Sequence, residues 1–250
     1  MLTVRAVKLF ADGALGGRGA WLKAPYADAD TRGIPITHGE VLREGEAVRG
    51  RRLQVGVHAI GDAAVADVLG AFEAAGSVDR RFRVEHADRQ PRRPDADGPP
   101  GVIAMVQPTH ATSDMPWAEA RLGPDRIRHA YAWRSLEGGG RAAGSSAATS
   151  RGAARPGGLS AATTRADAEA SRPGAGTRRG PDPREALEGF TVDAAYAGFA
   201  EARRGRIAVG QDADLTLLDA DPLAVGPENI KKIRPVGVVV DGRLAWPEGL

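Results

Sequence analysis

The chain predicts an α/β protein built from parallel β/α units, with a small β-element appended at its C-terminal end. Three observations carry that expectation. Short apolar runs of strand length alternate with stretches of helical periodicity over residues 4–136. Polar side chains capable of chemistry follow the apolar runs instead of interrupting them. Beyond residue 205 the helical period gives way to short strands around a turn. A length of 250 residues can bury one sizeable core, as a single barrel or as two smaller units.

Taken in order, Val4–Phe10 is the first strand and ends in Ala11-Asp12-Gly13. Leu53–Val57 is a short buried strand that runs into His58. Asp62 is placed to cap the next helix, whose Val65, Val68, Leu69 and Phe72 fall at i, i+3, i+4 and i+7. Phe82–Glu85 leads into His86, and Val102–Val106 into Gln107-Pro108. A helix is expected at Met115–Leu122, with Asp114 as cap and Pro116 in the first turn. Another is expected over 125–136, ending at three glycines. Residues 184–201 are helical in pattern, and Asp214–Asp219 is a strand. Val236–Trp246 reads as two strands around Asp241-Gly242, a favoured hairpin turn.

Composition excludes several classes. Without cysteine there is no disulfide scaffold, thiolate zinc site or Cys nucleophile. No apolar run reaches the length of a membrane span, and the start lacks the apolar segment of a secretory signal, so a cytoplasmic location is expected. The net charge is only +2, yet thirty arginines stand against four lysines. Seven of those arginines fall in 141–180 beside two acids, twelve alanines and one large aliphatic, Leu159. That stretch is expected to be irregular, because it offers little apolar surface to offset chain entropy. Its charge raises nucleic-acid binding as a reading. No aromatics are interleaved and no reading motif is present, so no nucleic-acid partner is expected. The glycines at 13, 16, 17 and 19 lack the spacing of a phosphate cradle.

Function is expected where polar residues meet strand ends, since parallel β/α folds place their working groups there. Lys8, His58, His86 and Gln107 all lie at or near such ends. The two histidines are 28 residues apart, one β/α repeat, which brings both imidazoles to one mouth where they could share a metal ion. Taken singly, either histidine is more readily a hydrogen-bonded residue at a strand end. Lys8 has the alternative of a snorkelling or salt-bridged lysine. Gln107 and His110 either line a substrate mouth or cap the next helix. Asp12 and Asp62 are placed for contacts behind Lys8 and His58, Asp62 more simply as a helix cap. His38 and His129 are expected to be exposed.

Several segments together resemble the amidohydrolase superfamily, in its amidohydrolase 3 branch of N-substituted formamide deformylase-like enzymes. They are Val7–Gly13 (VKLFADG), His58–Asp62 (HAIGD), Arg83–Ala87 (RVEHA), Gln107–Asp114 (QPTHATSD), Ala130–Leu136 (AYAWRSL) and Gly205–Leu215 (GRIAVGQDADL). The resemblance covers most of 1–136 and 183–246. It implies a metal-dependent hydrolase of carbon–nitrogen bonds, acting on a small-molecule amide, formamide or cyclic substrate. His58 and His86 match the family's metal-binding histidines of strands five and six, with zinc the usual divalent metal. Lys8 fits the strand-four position, where a carbamylated lysine is a metal ligand in several branches. An aspartate after strand eight is the family's general base.

Two departures accompany that likeness. The family's strand-one His-x-His has no counterpart, because no two of the five histidines are two residues apart. Where Gly-Ser-Asp is expected, this sequence has Gly144-Ser145-Ser146, and a Ser146 hydroxyl cannot serve as base or anionic ligand. The abrupt change of text there points to a shifted reading frame across 137–182. The resemblance thus implies a partial (β/α)8 TIM-type barrel of about strands four to eight, the C-terminal portion of such an enzyme. Its expected divisions are a partial barrel over 1–136, an Arg/Ala/Gly-rich irregular segment over 137–182, a returning helical segment over 183–204 and a C-terminal β-element over 205–250. An incomplete copy leaves open strand edges, which invite association with another copy. The alternative is a non-catalytic remnant that keeps the motifs and hydrolyses nothing.

Overall fold

The computed structural model describes residues 4–37, 53–76, 80–87, 101–131, 142–143, 156–165 and 181–246. They fall into two compact units. The first takes the described residues up to Val106 and those of 113–142; the second takes 107–112 and those from 143 onward.

The first unit is an α/β layer. Strands β1 (Ala6–Phe10), β2 (Gln54–Ala59), β3 (Arg83–His86) and β4 (Ile103–Met105) pair in parallel in that order, and the two-residue β5 (Ala142–Ala143) ends the row. Helix α1 (Asp62–Ala75) follows β2. Its Ala64, Val65, Val68 and Phe72 pack with Val57, Ala59, Phe82, Val84 and Ala87, and Leu9 and Trp21 flank this core. Alternation along the strands gives Val57, Ala59 and Val84 to that core and turns Lys8, Phe10, Gly56, His58, Arg83 and Glu85 to the other face. The sequence places β2's end at Val57; the ladder runs two residues further and takes His58 into the strand.

Two expected caps differ from the prediction. Gly61, not Asp62, occupies the N-cap of α1, and a Cβ there would lie 1.9 Å from the Trp21 carbonyl oxygen, so only glycine fits. Helix α2 (Pro108–Ser113) directly precedes α3 (Met115–Leu122). Asp114 stands at the N-cap of α3 but caps nothing with its side chain. Its carboxylate accepts from the Tyr131 hydroxyl at 2.7 Å and from Ser113 Oγ at 2.9 Å. The helix expected over 125–136 is a single 3₁₀ turn at Ile127–His129 in its described part.

In the second unit, α4 (Pro156–Thr164) lies inside the segment expected to be irregular. Its Leu159 and Ala162 form a core with Ala186 and Ile230, against which Leu187, Phe190 and Val225 pack. Helix α5 (Pro183–Phe190) begins at a capping box in which Asp182 and Glu185 each accept from the other's backbone N–H. Thr191 separates it from α6 (Val192–Ala197), dividing the single helix expected over 184–201. Strands β6 (Leu215–Leu218), β7 (Pro235–Val240) and β8 (Arg243–Trp246) form an antiparallel sheet. Asp241 and Gly242 make its expected turn, with φ of 50° and 74°. Among the described residues no helix is long and apolar enough to cross a membrane.

Candidate functional site

The face of the sheet opposite α1 carries a row of polar side chains. Lys8 and Gly56 are register partners across β1 and β2, and Gly56 is the partner of Arg83 on β3. Arg83 Nε donates to Glu85 Oε1 at 2.9 Å, and Nη1 donates to Gln54 Oε1 at 2.8 Å. A Cβ on Gly56 would fall 2.9 Å from Glu85 Oε1 and 3.1 Å from Arg83 Nη2, so the ion pair occupies the space a side chain would take. Lys8 feels both members. Burial holds its pKa below the ordinary lysine value; the Glu85 carboxylate opposes that shift and the Arg83 guanidinium adds to it.

Next to this row stand the histidines. His58 and His86 rings are 4.4 Å apart at 68°, edge to face. Strict alternation would send His86 to the same side as Val84, into the core. His86 instead has φ of 76° and Ala87 φ of 47°, a left-handed step at the end of β3 that breaks the alternation. Such a conformation in a non-glycine residue costs on the order of 1–3 kcal/mol and clusters at functional sites. Phe10 lies 5.4 Å from the His58 ring, and Lys8 Nζ lies 5.2 Å from the Phe10 ring. Lys8 and the two histidines therefore share a face, with Phe10 in contact with both Lys8 and His58.

The remaining expected site residues separate. Asp12 is fully buried and lies against His58, not Lys8, with Oδ1 3.5 Å from His58 Nε2. Asp62 accepts the Lys23 backbone N–H at 3.0 Å as the first residue of α1. Gln107 and His110 belong to the second unit, where the His110 N–H donates to the Gln107 carbonyl at 2.9 Å within the first turn of α2. His129 is half-buried. Ser146 and His38 lie outside the described residues. Sequence reasoning passed over Glu85, Arg83, Gln54 and Phe10. The signal for them was period two: counting back from His58 and across the register puts all four on the face of Lys8.

A divalent metal of zinc type takes three or four protein donors. The two imidazoles in contact fit as two of them. Among the described residues no group of three or more His, Cys, Asp or Glu is gathered to complete the set. Lys8 as an ammonium has no lone pair to offer a metal; carbamylation would give it an anionic oxygen.

Comparison with known proteins gives the family. The model of an amidohydrolase family, Amidohydro_3, matches residues 1–245. The amidohydrolase-family protein YtcJ of Bacillus subtilis (strain 168) is 35% identical over 251 residues, 96% of this chain and 47% of its own length. An uncharacterized metal-dependent hydrolase from Pyrococcus horikoshii superposes with a TM-score of 0.74 at 30% identity, covering 90% of this chain and 46% of that one. One from Pyrococcus furiosus gives 0.73 at 32% identity, covering 88% and 45%. The chain thus spans about half the length of these relatives. With a parallel β/α layer, paired histidines at adjacent strand ends and a family match over nearly its whole length, the chain belongs to the amidohydrolase family.

Proposed function

We propose that this chain carries the metal-binding face of a metal-dependent hydrolase that cleaves a carbon–nitrogen bond in a small amide, formamide or cyclic substrate. The observation that supports it is the edge contact of His58 and His86 at the ends of neighbouring parallel strands. When bound there, a divalent metal acidifies a water molecule and polarises the scissile carbonyl. His58 and His86 hold it through neutral imidazole nitrogens, and Lys8, as a carbamate, supplies an anionic oxygen. Zinc as the metal, the cytoplasm as the compartment, and the sheet as an arc of a (β/α)8 barrel from the C-terminal portion of the enzyme belong to the same proposal.

The water's proton needs an acceptor, and Ser146 at the expected aspartate position cannot take it, since its hydroxyl is not basic near neutral pH. That substitution, with no group of three or more His, Cys, Asp or Glu donors gathered among the described residues, favours a second reading in which the chain is a non-catalytic remnant that hydrolyses nothing. Elemental analysis of the full chain dialysed against zinc discriminates. About one equivalent of metal is expected, falling to background in the His58→Ala/His86→Ala double variant. Metal-free wild-type protein would sink the first reading. Bound metal without hydrolysis of a formamide and cyclic-amide panel would select the second.

A further inference from the structure

We propose that Asp12 is a positioning residue for His58, holding its imidazole with the proton on Nε2 and the electron pair on Nδ1. The inference deepens the metal-ligand reading of His58 and rests on it for its purpose, though not for its geometry.

Asp12 lies just beyond β1 with no exposed surface. A carboxylate in such a place is costly unless hydrogen-bonded. Its Oδ2 accepts the backbone N–H groups of Trp21 and Gly61, each at 2.8 Å, and its Oδ1 accepts that of Ile60 at 3.0 Å. Ile60 and Gly61 are the second and third residues after His58. The Ala11 N–H also donates to the His58 carbonyl at 2.8 Å. Carboxylate and imidazole are therefore pinned to the same two strand ends, and their separation is set by backbone.

Across that gap Oδ1 stands 3.5 Å from His58 Nε2. An ionised carboxylate offers acceptors only. A ring nitrogen presenting its lone pair to Oδ1 in this buried place would meet electrostatic repulsion, whereas N–H is attracted. The distance is longer than a well-formed hydrogen bond, but the sign of the interaction does not depend on closing it. Fixing one ring nitrogen as N–H decides which nitrogen is left to donate elsewhere. A purely structural Asp12 would need the three amides alone.

The test is a two-bond ¹H–¹⁵N correlation spectrum of the metal-free full chain with ¹⁵N-labelled histidine. It is run at about pH 8.5, roughly two units above the ordinary imidazole pKa. The His58 signal is identified by its loss in His58→Ala. Expected is an Nε2–H to Nδ1–H ratio at least about threefold above that of free histidine in the same buffer. In Asp12→Asn, whose amide can present either N–H or oxygen to the ring, the ratio returns to the free-histidine value. An Nδ1–H form in the wild type overturns the proposal by itself, even if Asp12→Asn fails to fold. So does an unchanged ratio in a folded Asp12→Asn. Zinc titration of the same sample separates the two ideas. A raised Nε2–H ratio without zinc binding supports the positioning contact and sinks the ligand reading. Zinc binding with an Nδ1–H ring overturns the positioning contact alone.

Discussion

Gly61 and Gly70 show how differently two glycines can be used nine residues apart. A Cβ on Gly61 would lie 1.9 Å from the Trp21 carbonyl oxygen, whereas one on Gly70, inside α1, meets nothing within 4 Å. Gly61→Ala is expected to cost more than about 3 kcal/mol, because backbone must move to admit the methyl group. Gly70→Ala is expected to gain about 0.5–1 kcal/mol, since the helix backbone suits alanine and the unfolded chain loses freedom. Urea unfolding of both variants checks the pair, and equal midpoints would contradict the close approach. The same scale limits what the sequence discloses about the site. His58 and His86 were legible as residues following apolar runs. That Asp12 would face His58, and that a left-handed backbone would turn His86 toward it, depended on contacts between residues far apart in the chain.

Among the elements, the segment between β1 and β2 is tied to α3 by charge. Asp28 accepts from Arg18 at 3.1 and 3.0 Å and from Arg121, which lies on α3. The hydrogen bonds from Arg18 above all hold the Asp28 pKa below the ordinary carboxylate value; desolvation opposes them, and the Arg121 hydrogen bond and the charges of both arginines add to them. A carboxyl group whose pKa is depressed on folding contributes stability above its unfolded pKa, about 3.9, and loses it as pH falls through the folded value. Wild-type and Asp28→Asn proteins should therefore differ in urea midpoint at pH 6 and converge as pH falls past the unfolded value and through the lower folded one. A difference that persists or grows under acid would contradict the assignment. Element boundaries were read well where end signals were present, as for α3, whose start is marked by Asp114 and Pro116 and whose ends match the prediction. They were read poorly where the packing partners lie far along the chain. Helix α4 has a single large aliphatic residue, Leu159, and is held by Ala186, Ile230 and other apolar residues distant in the chain, which its own hydropathy pattern does not mark.

At the level of the whole molecule, β1 is the outermost strand of the described sheet. Val4 beside it is 70% exposed and Phe10 on it 50%, so apolar surface accompanies that strand. Natural sheets protect such edges, and one left uncovered pairs with whatever strand is near. Sedimentation velocity of the full chain is expected to show association that rises with concentration. Val4→Lys, placing a charge beside the edge, should reduce it. A single monomeric species at every concentration would argue that the edge is covered in solution. Zinc binding with loss in the double histidine variant is the companion prediction at this scale, since it needs β2 and β3 to be in register.

By itself the sequence determined the fold class, the order of most strands and helices, and the family likeness. These rest on local periodicity, turn chemistry and the residues at strand ends, all written within short stretches of chain. Tertiary structure decided the rest. The parallel register stacked Lys8, Gly56 and Arg83 in one row. The left-handed step at His86 brought two imidazoles into contact. Burial assigned Asp12 to His58, because a carboxylate removed from water has to be satisfied by whatever donors the folded chain brings to it.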